Sequence, residues 1–426
     1  MDKEQNPRSL RGLIGVLSTD FAALSATRLL SVAVPWFVLV TTGSVAMTGL
    51  VTFFQIVPFV ISQPLVGPLI DRIGPRRVSI GGDLLSMTAL IAIGALHAAG
   101  LLSLWTLIAL LAVQGSADGP AVCAKSVLIP SVTRAARLPL ARGTGLITAV
   151  ERTATVAGPA AGGVLIAAFG ALQAFWLAAA LLGLAALVAA ITVTDPPGQS
   201  GQAPSGSYAQ QLCQGATFLR REGLLSAIVG MLIATNLLDA AFSSVLLPDW
   251  ARASGHGAVT VGLVVSVFAA TSVVAAVVAA RFGERLPRQA TYMLGFVIGG
   301  VPRFIVMALG VPLGLTLAVF AIGGLGSGFI NPIIGAVTYE RIPAHLLGRV
   351  RTLIEALSWA GIPFGGLFAA ALIGLSGLTG ALAIVGGCYL VAIVVPGLRP
   401  EWSQMGKVPS QPDVTVPAAP DYEEAA

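Results

Sequence analysis

Charged side chains carry the chemistry available to this chain, and they are few: 10% of its 426 residues are Asp, Glu, Lys or Arg. Several stand inside long apolar runs: Asp20 and Arg28, Asp118, Glu151 and Arg152, Asp239 with Asn236 before it, Arg303 and Glu355. A charge at the centre of a membrane helix costs on the order of 2.5–3.5 kcal/mol on insertion scales, so each needs a partner or a wet cavity. Such groups offer reversible chemistry, ion pairing and proton uptake. Asp20 and Arg28, eight residues apart, would project about 80° apart on one helix. The cysteines (Cys123, Cys213, Cys388) and histidines (His97, His256, His345) are scattered, with no metal-ligand spacing and no disulfide framework. No P-loop pattern occurs, and the polar segments are too short to hold a nucleotide-binding domain. Catalytic residues, a metal site and a cofactor are not expected.

The elements that must position these charges are membrane helices. Hydrophobic residues make up 56% of the chain and its mean hydropathy is +0.88, outside the range of soluble domains. At about 20 apolar residues per crossing, the chain divides into twelve spans, roughly 13–40, 45–70, 78–99, 103–128, 143–168, 171–193, 223–248, 258–281, 289–310, 312–338, 350–375 and 378–397. The first reads as an uncleaved helix because eleven more follow it. With the N-terminus inside, nineteen of the 24 Lys and Arg fall on cytoplasmic segments, only Arg252 on an outer loop and four within spans. That bias sets a multi-pass plasma-membrane orientation with both termini cytoplasmic. The net charge of +5 is then topological, and nucleic acid is not an expected partner.

Residues 195–222 are rich in Pro, Gly, Ser and Gln, the composition of a flexible linker. They divide the chain into a cytoplasmic start (1–12), a six-helix unit (13–194), the linker, a second six-helix unit (223–398) and a tail (399–426) that reads as disordered. The halves echo each other. Pro35 and Gly49 match Pro248 and Gly262 at an offset of 213; Glu151, Pro159 and Gly162 match Glu355, Pro363 and Gly366 at an offset of 204. Gly119-Pro120 and Asn331-Pro332 are a weaker pair, and the segment 281–288 looks like a degraded copy of the loop at 67–77. Internal duplication is the expectation.

That loop, Gly67-Pro68-Leu69-Ile70-Asp71-Arg72-Ile73-Gly74-Pro75-Arg76-Arg77, is short, basic and glycine-punctuated between two spans. Its spacing, G-x-x-x-D-R-x-G-x-R-R, resembles the signature between helices two and three of the major facilitator superfamily. The resemblance covers about residues 13–397. In the fifth span, Gly158-Pro159-Ala160-Ala161-Gly162-Gly163 resembles the G-P-x-x-G-G core associated in that superfamily with proton-coupled exporters. Gly145 fits that motif's first glycine, whereas Ala154 stands where the next is expected. Proline bends a helix and glycines permit close packing; a generic packing seam is the plainer alternative. The first span, with Thr27-Arg28-Leu29 and Pro35-Trp36-Phe37-Val38, resembles actinobacterial drug:H+ antiporters. One departure stands out: the superfamily's fourth-span arginine, three residues before a Gln-Gly pair, is here Leu111 before Gln114-Gly115.

The resemblance implies an all-α integral membrane protein with two pseudo-symmetric six-helix bundles about a shared cavity, working by alternating access. It puts spans one, four, five, seven and eleven on that cavity, and so Asp20, Asp118, Glu151, Asp239 and Glu355 become proton-coupling candidates, with Arg28, Arg152 and Arg303 as charge partners. A carboxyl in an apolar cavity takes up a proton more readily, and a nearby arginine opposes this. Glu151 is favoured, followed by Asp20 and Asp239; a static ion pair such as Arg28 with Glu151 is the alternative for each. Asp83 reads as interfacial and Lys125 as snorkelling. Gly67, Asp71, Arg72, Gly74, Arg76 and Arg77 are assigned to gating, with Arg349 and Arg351 opposite. Trp36, Phe54, Asn236, Phe242, Phe268, Asn331 and Trp359 are cavity candidates, with lipid-facing or core packing as the alternative. The leading expectation is a monomeric, proton-driven exporter of small amphiphilic compounds such as drugs or secondary metabolites, without direct use of ATP. An importer of a polar metabolite and a non-transporting receptor or scaffold are the alternatives.

Overall fold

The structure, a computed structural model, describes residues 10–194, 208–282, 286–343 and 346–406. The linker reading over 195–207, the loop residues 283–285 and the tail from 407 lie outside the described residues, as do the side chains of Asp71 and Arg349. Among the described residues every long element is a helix. In order these are α1 (Leu10–Thr42), α2 (Val45–Leu65), α3 (Gly67–Ile73), α4 (Pro75–Ala98), α5 (Leu104–Ala135), α6 (Leu140–Phe169), α7 (Ala171–Thr192), α8 (Tyr208–Arg221), α9 (Gly223–Ala241), α10 (Leu247–Ala253), α11 (Ala258–Phe282), α12 (Arg288–Ala308), α13 (Leu313–Ser327), α14 (Ile330–Arg341), α15 (Leu347–Trp359) and α16 (Ile362–Gly397). Among the described residues, eleven stretches are long and apolar enough to cross a bilayer. The last contains Gly377 at φ 68°, a break between two arms. Counted separately, those arms bring the spans to twelve.

Connections are short because glycine allows backbone that other residues avoid. Gly74 (φ 88°) and Gly170 (φ 89°) are each a single-residue joint, between α3 and α4 and between α6 and α7. Helix ends are satisfied locally: Arg76 donates to Ala190 O at 2.6 Å and Arg11 to Ile191 O at 2.9 Å, so two arginines cap the last carbonyls of α7. Exposed large apolar side chains, from Leu184 and Leu187 on α7 to Val391 and Val395 on α16, form the outward surface, as a lipid-facing wall requires.

α1 packs on α5, α6 and α7, and α4 on α5 and α7; α9 packs on α15 and α16, and α12 on α13 and α16. Two seams join the halves, α2 against α16 and α6 against α11. Both are built on glycine in the half of the molecule remote from the chain ends. A Cβ on Gly49 would lie 2.6 Å from Gly366 O, and one on Gly163 would lie 2.7 Å from Ala258 O. Gly262 faces Pro159 O and Gly163. Gly49 with Gly262, and the neighbourhood of Gly162 with Gly366, are the positions that repeat between the halves in sequence. Ser266 adds a hydrogen bond to Val156 O at 2.8 Å across the second seam, within a turn of Pro159.

Two polar segments are more ordered than their composition suggests. The second half of the expected linker is α8, which packs on α15 and α9. Beyond the last span, Pro400–Gly406 is a 3-10 helix, not disordered chain. Trp402 is fully buried against Tyr292, with ring centroids 5.6 Å apart. Arg341 ties the segment down, donating to Gln404 O at 2.6 Å and to Glu222 at 2.5 Å. The apolar content of that one tryptophan outweighs the surrounding Pro and Ser.

Candidate functional site: a cavity with an ion pair on its wall

A cavity of about 420 Å³ lies at mid-depth, lined by α6, α9, α11, α12, α13, α14 and α16. Its floor is the ion pair of Asp239 and Arg303. Asp239 ends the regular part of span seven, where Phe242–Leu246 forms a π-helical turn before α10; such turns widen a helix and often mark functional sites. Arg303 follows Pro302 in α12. Proline removes one helical hydrogen bond there, and Arg303 Nε donates to Gly300 O at 3.1 Å.

Arg303 donates through Nη2 to Asp239 Oδ1. Its guanidinium lies 4.6 Å from the Phe242 ring centroid, 4.8 Å from that of Phe304 and 5.3 Å from that of Tyr389. Three aromatic faces solvate the cation in place of water. Tyr389 OH completes the group, donating to Asp239 Oδ2 at 3.4 Å, and its ring occupies space left by Gly300, which has no Cβ. The two charges differ in access. Arg303 is 9% exposed and Asp239 41%, so one carboxylate faces the cavity while its counter-ion is held behind it. Arg152 and Thr155 form the wall from the other half; Asn331, Ser272 and Ser327 add polar groups, and Phe268, Phe296 and Phe320 add aromatic surface. Asn236 also lines it, while its amide donates to Ser358 O at 2.9 Å near the broken end of α15.

Of the cavity candidates, Asn236, Phe242, Phe268 and Asn331 line this space. Trp36 packs against the core, Phe54 pairs with Phe53, and Trp359 stacks on Phe59 across the two halves at 6.1 Å. An aromatic on the right helix can face any of three directions, which explains the division. Tyr389 was not singled out from sequence. A polar aromatic in an otherwise apolar last span is the signal that would have found it.

The remaining charges fall into two groups. Glu151 and Glu355 are exposed, on α6 and α15, within electrostatic reach of each other and of Arg28 and Arg152. Among the described residues Arg28 and Glu151 form no ion pair. Asp20 and Asp118 are buried, and Asp118 accepts from Thr27 Oγ1 at 3.4 Å. The structure corrects two readings: Asp83 is not interfacial and Lys125 does not snorkel. They form a 2.6 Å ion pair at 0% and 3% exposure, because α4 is flanked by both α5 and α7. Depth along a span is therefore not a measure of access.

The fifth-span motif works as a double joint. Gly158 and Gly162 seat α6 against Arg28 and Leu29 of α1, with positions for a Cβ only 2.5 Å from Arg28 Cβ and 3.1 Å from Leu29 Cδ1. Gly163 faces the other way, onto α11. Leu111, at the site of the missing arginine, is fully buried in the core. In the loop at 67–77, Arg72 and Arg77 are exposed, and Arg76 is committed to the end of α7.

Comparison with known proteins agrees with this architecture. A family model described as Major Facilitator Superfamily matches residues 16–243 and 229–420. The chain is 29% identical over 384 residues to a protein of Mycobacterium tuberculosis named Multidrug efflux pump Tap, covering 86% of this chain and 89% of that one. A protein of the same name from Mycolicibacterium fortuitum is 26% identical over 394 residues, covering 89% and 95%. Among solved structures, nucleoside transporter NupG has a TM-score of 0.71 at 14% identity, covering 93% of this chain and 99% of that one. A bacterial homolog of the lysosomal transporter Spinster, inward-facing and unoccupied, has a TM-score of 0.73 at 12% identity, covering 94% and 98%. These structural likenesses show the fold.

Proposed function

The chain belongs to the major facilitator superfamily, a family of secondary transporters, and on that premise we propose that it exports small amphiphilic compounds, preferentially with a basic group, in exchange for protons. The observation that carries the substrate class is the half-exposed Asp239 on an aromatic-lined wall. An apolar cavity with a few fixed polar groups accepts bulky ligands with little geometric demand, and a carboxylate whose counter-ion is held by three rings can attract a second cation. The names of the mycobacterial relatives support the efflux reading.

Alternating access is supported by the seams. Gly49 on Gly366 and Gly163 on Gly262 close the half remote from the termini, while Glu151 and Glu355 are accessible on the other side. Substrate release requires these glycine contacts to part as the opposite side closes. The arginine distribution supports cytoplasmic termini, hence a plasma-membrane protein whose closed side faces outward. Glu151 and Glu355, together with the enclosed Asp20 and Asp118, are the acids through which a proton gradient would act; the gating role of Asp71 and Arg72 belongs to the same reading. The energy source is the proton gradient, and the working unit is a monomer.

The test is uptake into proteoliposomes loaded at acid pH. A permanently charged aromatic cation serves as probe, because it has no neutral form that crosses lipid unaided, and the membrane potential is clamped. Accumulation in the acid lumen that a protonophore abolishes is the expected result. Accumulation indifferent to the pH gradient contradicts proton exchange, and no protein-dependent movement of any amphiphile contradicts the substrate class.

A further inference from the structure

The pair of Lys125 and Asp83 is the most enclosed charge in the described protein, and the substrate cavity does not touch it. Lys125 Nζ meets only one carboxylate oxygen, Asp83 Oδ1 at 2.6 Å. The second oxygen, Oδ2, is buried without a hydrogen-bond partner, and so is Ser79 Oγ one turn earlier on α4. Buried polar groups in native proteins are nearly always paired, so this face of α4 has unmet hydrogen-bonding capacity beside the ion pair. Asp118 stands two turns from Lys125 on the same face of α5, and Asp20, opposite on α1, lies within electrostatic reach of Lys125. Both are buried. Arg28 lies within electrostatic reach of Asp118, and Glu151 within reach of Asp20; the face of α7 packed here is apolar.

The charge count is decisive. One ammonium stands among three buried carboxyl groups, in contact with Asp83 and within electrostatic reach of Asp118 and Asp20, and an isolated buried carboxylate is costly. Two of the three must hold protons for the group to be neutral. A lysine is a point charge on a flexible stem, so it can follow whichever carboxyl is charged as protons enter and leave the group.

We propose that Asp83, Lys125, Asp118 and Asp20 form a proton-exchange site enclosed in the N-terminal half, separate from the substrate cavity. When substrate binds, the group gives one carboxyl proton to the compartment the cavity then faces, Lys125 shifting between Asp83 and the newly charged Asp118 or Asp20, and it regains one from the opposite compartment after substrate leaves; Lys125 keeps its own proton throughout. The link to the rest of the molecule is three consecutive residues of α1. Thr27 donates to Asp118, Arg28 and Leu29 seat Gly158 and Gly162 of α6, and α6 carries Gly163 onto the seam with α11. A change in the Asp118 carboxyl therefore reaches the contact that must open and close. This inference rests on the proton-coupled reading above and names the site that reading requires.

The experiment compares wild type with Asp83→Asn/Lys125→Met, which removes both charges at similar volume, in the proteoliposomes and with the permanent aromatic cation described above. Two modes are measured: accumulation driven by a pH gradient, and counterflow of probe against probe at equal pH, which needs no net proton movement. The double variant is expected to retain counterflow within twofold of wild type and to lose gradient-driven accumulation at least tenfold. If it does not fold, Asp118→Asn, whose amide keeps the size of the carboxyl, carries the same test with the same expectation. A variant that counterflows and accumulates as wild type does overturns this inference alone. Wild type that ignores the pH gradient overturns the proton-coupled reading and the inference together, and wild type driven instead by a sodium gradient at equal pH reassigns the site to a metal cation.

Discussion

Among the described residues each half of the molecule holds an ion pair between its spanning helices, Lys125 with Asp83 and Arg303 with Asp239, and the two are built for different tasks. In the N-terminal half Lys125 meets Asp83 with both side chains almost wholly enclosed; in the C-terminal half Arg303 is enclosed while Asp239 is 41% exposed. The cations differ in kind. Arginine is planar, stacks on rings and stays where three aromatic faces hold it, whereas lysine is a mobile point charge with no such cradle. The fixed cation leaves its carboxylate free to meet a ligand. The mobile one, among three carboxyls, is free to change partners. Pseudo-equivalent scaffolds thus carry unlike charge sites, one open to the cavity and one enclosed.

Four substitutions sharpen or break this contrast. The largest effect is expected from Asp83→Asn alone, which removes the one carboxylate that Lys125 touches; losing one partner of a buried pair costs about 3–5 kcal/mol. Asp239→Asn, at the accessible wall, should cost about 1 kcal/mol, because Arg303 keeps its aromatic cradle. Thermal unfolding in detergent measures both, and equal losses would erase the distinction. Next in size, Asp239→Asn should weaken binding of a cationic aromatic probe by about 1.5–3 kcal/mol, the worth of a hydrogen bond to a charged group. A neutral aromatic probe, followed by fluorescence titration, should bind almost as in wild type. Gly262→Leu should disfavour the closed seam by about 1–3 kcal/mol, a typical overpacking penalty, since the new side chain meets the Pro159 carbonyl. Labelling of a cysteine placed at the far end would rise while transport falls. Smallest is Ser266→Ala, which removes the Val156 contact and should shift the same labelling by about 1 kcal/mol.

Much of this was legible in the chain. Apolar run length gives the spans, and the repeat at offsets of 213 and 204 singles out Gly49, Gly262 and Gly366 of the two seams, and for the fourth seam glycine, Gly163, only its neighbour Gly162. The Gly-Pro-x-x-Gly-Gly stretch foretells a tightly packed span five, though not that its glycines face two different helices. Asp239 and Arg303 were each visible as charges within spans. Their pairing was not, because spacing along the chain does not say which faces of spans seven and nine meet. Asp83 and Lys125 were misjudged for a related reason. Distance from a span's end measures depth in the bilayer, whereas enclosure depends on the helices alongside. The readable clue was opposite charges at matched depth on neighbouring spans, eight residues into α4 and ten before the end of α5. Trp402 teaches the same lesson at the tail, where one large apolar side chain among polar neighbours finds a slot beside Tyr292.

The division between a substrate wall and a proton store is tested most directly by proton release on ligand binding. Purified protein in weakly buffered detergent with a pH dye is titrated with the cationic probe, for wild type and for Asp83→Asn/Lys125→Met. The account predicts that the double variant binds the probe with wild-type affinity and releases no protons, while wild type releases them in proportion to occupancy. Undiminished release from the double variant would contradict it.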